Sequence, residues 1–172
     1  MPQPKSEVSV RPLPTMTLTP ESFAPFGQVI APIEDGVPFG PDDAQLDLTQ
    51  GTPRLYIMRL PRKGLQIRQI TRHRQATQCL ASTRGESWFI AVAPPYKLDD
   101  PNAEPALEDI AGFMIPGGVA IKLHKGTWHA GPFFENEQID FINLELADTN
   151  QVDHQNCYLD QRYGTNLRFE VP

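Results

Sequence analysis

Four histidines occur among the 172 residues, and three of them, His73, His124 and His129, fall in two segments rich in strand-forming residues. Imidazole titrates near neutral pH and ligates transition metals, so histidines gathered in one place can move protons or hold an ion. One segment, GVAIKLHKGTWHAGPF, runs from Gly118 to Phe133 and spaces Gly118, His124, Gly126 and His129 by intervals of six, two and three residues. Glycine at 126 suits a tight turn between two strands, which would aim His129 into the mouth of a barrel. The other segment, GLQIRQITRHRQATQCLASTRG, places Gln78 five residues after His73 and Gly85 seven residues after Gln78. His154, in DTNQVDHQN, has no such context and reads as a surface-loop residue.

These residues need short strands to hold them. Runs rich in β-branched and aromatic residues, bounded by turn formers, predict strands near Leu55–Leu60, Gln66–Thr71, Thr77–Leu80, Trp88–Ala93, Gly112–Ile115, Val119–Leu123 and Asp140–Leu146. A short helix should start at LTPESF, with Thr19 as N-cap, Pro20 in the first helical position and Glu21 favoured by the helix dipole. Gly27 should stop it. The polar stretch from Ala31 to Pro53 and the acidic, proline-interrupted stretch from Tyr96 to Ile110 read as loops. The residues after Asn156 suggest a terminal strand or arm. Seven strands and one short helix predict an all-β sandwich or barrel.

Composition agrees with one globular domain over residues 1–172, with residues 1–14 as a loosely packed arm. Apolar residues make up 40% and charged residues 21%, while 18 prolines favour short elements over long helices. No run approaches the ~20 apolar residues of a membrane span, and the first residues lack the apolar core of a signal peptide, so a cytoplasmic protein is expected. Cys79 and Cys157 are too few for a disulfide framework and read as reduced packing residues. A net charge of −6 argues against nucleic-acid binding. Between Arg54 and Arg84, however, eight lysines and arginines occur with no acid. Such a run suits either a small anionic ligand or a solvated strand face.

The Gly118–Phe133 segment resembles the second cupin motif, with His124 in place of the motif proline and Phe133 in place of its asparagine. The segment around His73 resembles the first, with His73 at the second histidine, Gln78 at the glutamate and Thr71 where the first histidine stands. With LTPESFAPFGQVI, WFIAVAPP and IDFINLELAD, the order and spacing of these segments are similar to the ureidoglycolate lyase (ureidoglycolate hydrolase) family. That resemblance implies a cupin-like double-stranded β-helix barrel, a homodimer, and cleavage of ureidoglycolate to glyoxylate and urea in allantoin breakdown. It also implies a divalent metal, nickel by family likeness.

Urea release needs a base for the hydroxyl proton, an acid for the leaving nitrogen and an anchor for the substrate carboxylate. His124 and His129 are the expected acid and base, with Asp140 available to orient a histidine. His73, Gln78 and His129 form the expected metal set, which lacks a carboxylate. Arg72 is the expected anchor because a guanidinium matches a carboxylate in two hydrogen bonds. Alternation along a strand opposes having Arg72 and His73 on one face, which leaves Lys122 or Arg74 as substitutes. Trp128 is expected to wall the pocket or fill the core, and Glu145 either to face the substrate or to face solvent. Two other readings remain: a metal-dependent isomerase or oxygenase acting on another small carboxylate, and a non-catalytic anion-binding cupin.

Overall fold

The computed structural model describes residues 7–172. Thr19, Pro20 and Ser22 start the first helix, α1 (Pro20–Phe23), through a reciprocal cap: the Thr19 hydroxyl accepts from the Ser22 backbone N–H, and the Ser22 hydroxyl accepts from that of Thr19. The helix carries Phe23 into the core, edge-on to Phe113 at 5.2 Å. The chain then enters β3 (Gly27–Ile30), which approaches its neighbour so closely that a Cβ on Gly27 would lie 1.8 Å from the Lys122 carbonyl oxygen.

Three sheets stack on one another. Preceding α1 are β1 (Ser9–Leu13) and β2 (Thr15–Met16). After β3 come β4 (Pro53–Pro61), β5 (Gln66–Ile67), β6 (Gln69–Arg72), β7 (Gln78–Ser82), β8 (Trp88–Ala93), β9 (Ala111–Ile115), β10 (Ala120–Leu123), β11 (Trp128–Phe133) and β12 (Gln138–Leu146). The chain ends in α2 (Thr149–Val152), β13 (Gln155–Tyr158), α3 (Leu159–Tyr163) and β14 (Thr165–Phe169). The five-stranded sheet runs β3-β10-β7-β12-β4, the six-stranded sheet β13-β6-β11-β8-β9-β2, and the small third sheet β1-β14-β5. The protein is all-β and cupin-like, with its sheets facing one another rather than closing into a continuous barrel.

Alternation divides each strand between two neighbourhoods. In β8, Trp88, Ile90 and Val92 pack toward the five-stranded sheet with Ile121, Leu123, Ile139 and Phe141. Phe89, Ala91 and Ala93 point the other way and pack with Ile67, Leu167 and Phe169 of the third sheet. Burying each large apolar side chain contributes roughly 1.5–3 kcal/mol. The six-stranded sheet is therefore dry on both faces, except at one end of its inner face, where polar residues replace the apolar ones.

Six of the seven expected strands each form one strand, while Gln66–Thr71 breaks at Arg68 into β5 and β6 of different sheets; β13 and β14 fill the expected C-terminal strand or arm, and β1, β2, β3 and β11 are further strands. Among these, β1 pairs in parallel with β14, so the part of the expected N-terminal arm from Ser9 to Leu13 is a sheet strand. Residues 1–6 of that arm lie outside the described residues. Two further short helices and a 3-10 turn at Leu107–Asp109 join the one expected helix. No described helix is long and apolar enough to cross a membrane.

Candidate functional site

A cavity of about 640 Å³ opens where the inner faces of the five- and six-stranded sheets diverge. From the six-stranded sheet come Thr71, His73 and His129; from the five-stranded sheet come Tyr56, Met58, Gln78, Leu80, Asn143 and Glu145. Thr71 lies opposite His129 in the ladder, and Tyr56 lies opposite Asn143, so strand register brings these groups together. Asn143 and Glu145 share a face because they are two apart on β12.

The imidazoles form a compact pair, with the His73 and His129 ring centroids 5.0 Å apart. His154, on the segment after α2, stands edge-on to His73 at 5.5 Å and lines the same cavity. His73 Nδ1 lies 2.6 Å from the Asp153 carbonyl oxygen and His129 Nδ1 lies 3.2 Å from that of Thr127. A carbonyl only accepts, so each Nδ1 carries the proton and donates it, leaving each Nε2 lone pair free. Asp153 also holds the turn after β6: its carboxylate accepts from the backbone N–H groups of Arg74 and Gln75, both at 2.8 Å. On the other side, the turn through Gly126 has φ +82°, and a Cβ there would meet Leu98 Cδ1 at 2.4 Å. Gly126 N–H donates to the His73 carbonyl oxygen at 2.7 Å and ties the two histidine-bearing segments together.

Burial disfavours the charged form of both rings. It pushes His129 down to about 3, with the neighbouring His73 adding to the effect. Burial also lowers His73, but the Asp153 hydrogen bond and the Asp153 and Glu145 charges act in the opposite direction. In an unfolded chain both would titrate near 6.5. As pH falls from about 6.5 toward 3, the unfolded chain therefore takes up protons that the folded chain refuses, and stability declines. For a group displaced through that whole window the slope is about 1.4 kcal/mol per pH unit. Thermal unfolding should show a midpoint that falls steadily below pH 6.5; a flat midpoint from pH 7 to 5 would contradict neutral buried imidazoles.

The cavity's far wall is a directed hydrogen-bond chain. Tyr56 OH donates to Glu145 Oε1 at 3.2 Å, Asn143 Nδ2 donates to Tyr56 Oη at 3.1 Å, and Gln78 Nε2 donates to Asn143 Oδ1 at 3.0 Å and Glu145 Oε2 at 3.3 Å. Burial and the Glu145 charge raise the Tyr56 phenol above its usual value, which keeps its donor proton in place. At the mouth, Lys63 and Arg68 supply positive charge, with the Lys63 ammonium 4.5 Å from the Phe133 ring centre.

Six expected site residues point elsewhere. Arg72 is wholly buried on the opposite face of β6 from Thr71. Its guanidinium donates to the carbonyls of Tyr96, Lys97 and Asp100 and to Gln155 Oε1, and lies 4.8 Å over the Trp128 ring. It therefore anchors the Tyr96–Ile110 loop rather than a substrate. Trp128 packs in the outer core for the same reason of alternation, being next to inward-facing His129. Lys122 lies opposite Cys79 on the outer face of the five-stranded sheet and contacts His124 Nδ1 at 3.0 Å, while His124 Nε2 donates to the Ala24 carbonyl. Asp140 pairs with Arg59 through two hydrogen bonds of 2.8 and 3.1 Å on the same outer face. Arg74, the other substitute anchor, donates to the Leu98 carbonyl.

His73, Gln78, His129 and Glu145 do converge on the cavity. Tyr56, Lys63, Arg68, Asn143 and His154 join them without having been singled out as site residues, and Asp153 holds His73 from outside the cavity. Face alternation on β12 could have linked Asn143 to Glu145, whereas nothing local marked His154 or Asp153.

The cavity donors fit the expected divalent ion only in part. His73 and His129 are prepared as ligands, since a carbonyl partner on one ring nitrogen is the usual support for ligation by the other. The third donor would be a neutral amide oxygen, Gln78 Oε1, and both oxygens of Glu145 are already engaged by Tyr56 and Gln78. Among the described residues no three His, Cys, Asp or Glu side chains converge as a metal-binding group. Two imidazoles and one amide make a poor divalent site.

A search of curated proteins found no match. The family model described as ureidoglycolate lyase matches residues 40–166, a span that includes every cavity residue named above. The chain belongs to the ureidoglycolate lyase family.

Proposed function

We propose that the protein cleaves ureidoglycolate into glyoxylate and urea, the lyase step of allantoin breakdown, in the cavity between the two large sheets. The observation that carries this reading is the pair His73 and His129, each with Nδ1 tied to a carbonyl and Nε2 left for the cavity.

The reacting carbon of ureidoglycolate bears both the hydroxyl and the leaving nitrogen. One imidazole can therefore take the O–H proton and return it to nitrogen. As the proton leaves, an oxygen electron pair forms the aldehyde C=O, the C–N bond breaks, and its electron pair stays on nitrogen and takes up the proton. Atoms and charge balance with no redox partner. His73 suits this transfer better than His129, because the Asp153 and Glu145 charges support its protonated form while His129 has no adjacent carboxylate. Neutral His129 accepts a hydrogen bond and holds the substrate in place. Lys63 and Arg68 attract and hold the carboxylate at the mouth.

Incubation of the purified chain with racemic ureidoglycolate tests this reading through its products, which should be glyoxylate and urea in equal amounts.

A further inference from the structure

Several exposed apolar side chains gather on one face of the molecule. Leu55 and Ile57 on β4 and Ile142 on β12 are 69%, 57% and 40% exposed, and strand alternation turns all three away from the cavity, onto the outer face of the five-stranded sheet. Register makes them one surface. Ile142 lies between Ile57 and Ala81 across the ladder, and Leu144 lies between Leu55 and Cys79. The other half of this face is covered by residues 31–52: Gln28 Nε2 donates to the Pro41 and Asp43 carbonyls, Gln28 Oε1 accepts from the Gln45 N–H, and Lys122, opposite Gln28, is buried. That covering connection adds exposed apolar groups of its own, Leu46 and, at 77%, Phe39. A contiguous apolar surface left facing water marks a contact surface.

We propose that this outer face binds a second copy of the chain, the two five-stranded sheets packing back to back about a two-fold axis. A two-fold contact presents the same patch from both sides, so the patch must suit itself. An apolar patch does. The ion pair at its border, Arg59 with Asp140, is neutralised within the chain and does not repel its copy. Size fits as well: β4 and β12 are nine residues long. Five strands of that length make a face on the order of 700 Å², against about 800 Å² per partner in a stable complex. The face rather than the free edge of β4 makes the contact, because Pro53 and Pro61 at the ends of β4 lack N–H donors and Arg54 and Arg62 set like charges beside them. Both cavities lie on the reverse side of the sheet and stay open, so the contact is independent of the reaction they perform.

Sedimentation velocity of the full chain over a concentration series tests the contact. The wild-type chain should sediment as a dimer at micromolar concentrations. Ile57→Lys should raise the dimer dissociation constant at least about a hundredfold, since the two-fold axis buries the unpaired ammonium twice. In a single chain that lysine stands in water, so the variant should keep the wild-type circular dichroism. Ile142→Lys serves as the second variant if the first does not fold. Val171→Lys, at an exposed apolar position past β14, should leave the dimer intact. A wild-type chain that stays monomeric at the highest concentration would overturn the pairing and leave the face to a different partner. A dimer that survives both Ile57→Lys and Ile142→Lys, or one that Val171→Lys dissociates equally, would overturn its location.

Discussion

Replacement of His73 by asparagine should lower kcat/KM for urea release by about 10²- to 10⁴-fold, the range a positioned acid-base group supplies. Asparagine is chosen because its Nδ2 can still donate to the Asp153 carbonyl, as His73 Nδ1 does at 2.6 Å, so the turn after β6 keeps its tie. What is lost is the cavity-facing lone pair. The pH profile gives a second readout. Activity of the wild-type chain needs neutral His73, so kcat/KM should hold through neutral pH and fall only as acid protonates a ring that burial has pushed below 6.5. In His73→Asn the residual rate should lose that acid limb. His129→Ala should also abolish most turnover, since it removes the neighbouring acceptor and opens a hole beside the substrate. Near-wild-type urea release by folded His73→Asn would remove His73 from the chemistry.

Arg72→Leu should have the largest effect on stability, on the order of 3 kcal/mol or more. Leucine fills part of the volume and still touches Trp128, but it leaves the carbonyls of Tyr96, Lys97 and Asp100 without their donor in a partly buried setting. The rest of the Tyr96–Ile110 loop is tied by Arg74 on the Leu98 carbonyl, Gln155 Nε2 on the Ala103 carbonyl, the Tyr163 hydroxyl on the Pro105 carbonyl and the Arg162–Glu104 ion pair, so Arg72 holds chiefly its Tyr96–Asp100 start. Denaturant unfolding should show a lower midpoint, and limited proteolysis should cut first within this loop. An unchanged midpoint would contradict the anchoring role. Because Arg72 does not reach the cavity, ureidoglycolate KM in the remaining folded enzyme should stay within about twofold, where a substrate anchor would raise it strongly.

Arg72 shows why only part of the site could be read from sequence. Its neighbour His73 carried a recognisable motif position, and strand alternation alone warned that the two could not share a face. The warning held: Thr71 and His73 face the cavity while Arg72 faces the outer core. Lys122, His124, Trp128 and Asp140 failed for the same reason, since the residues that do face inward are Leu123, His129, Phe141 and Asn143. Motif spacing located the strands but not the parity of each side chain.

The central strands were legible because they are apolar on both faces, β8 above all. Several others were hidden by residues that usually end strands. β11 contains Gly131 and Pro132, and β3 begins at Gly27, which was expected to stop α1, whereas the helix ends at Phe23 with Ala24 as its C-cap. The charge run from Arg54 to Arg84 proved to be neither one ligand face nor one solvated face. Lys63 and Arg68 reach the cavity mouth, Arg59 pairs with Asp140, Arg54 stacks 3.7 Å from the Tyr56 ring centre, and Arg72 is interior. Long-range partners such as Asp153 for His73, 80 residues apart, leave no local trace in a single sequence.

The most direct measurement is a product balance on the wild-type chain: glyoxylate, urea and ammonia followed separately during incubation with racemic ureidoglycolate. Glyoxylate and urea should appear one to one, without ammonia, at a rate unchanged by chelator. Release of ammonia and carbon dioxide, or no turnover at all, would contradict cleavage of the C–N bond by the His73–His129 pair.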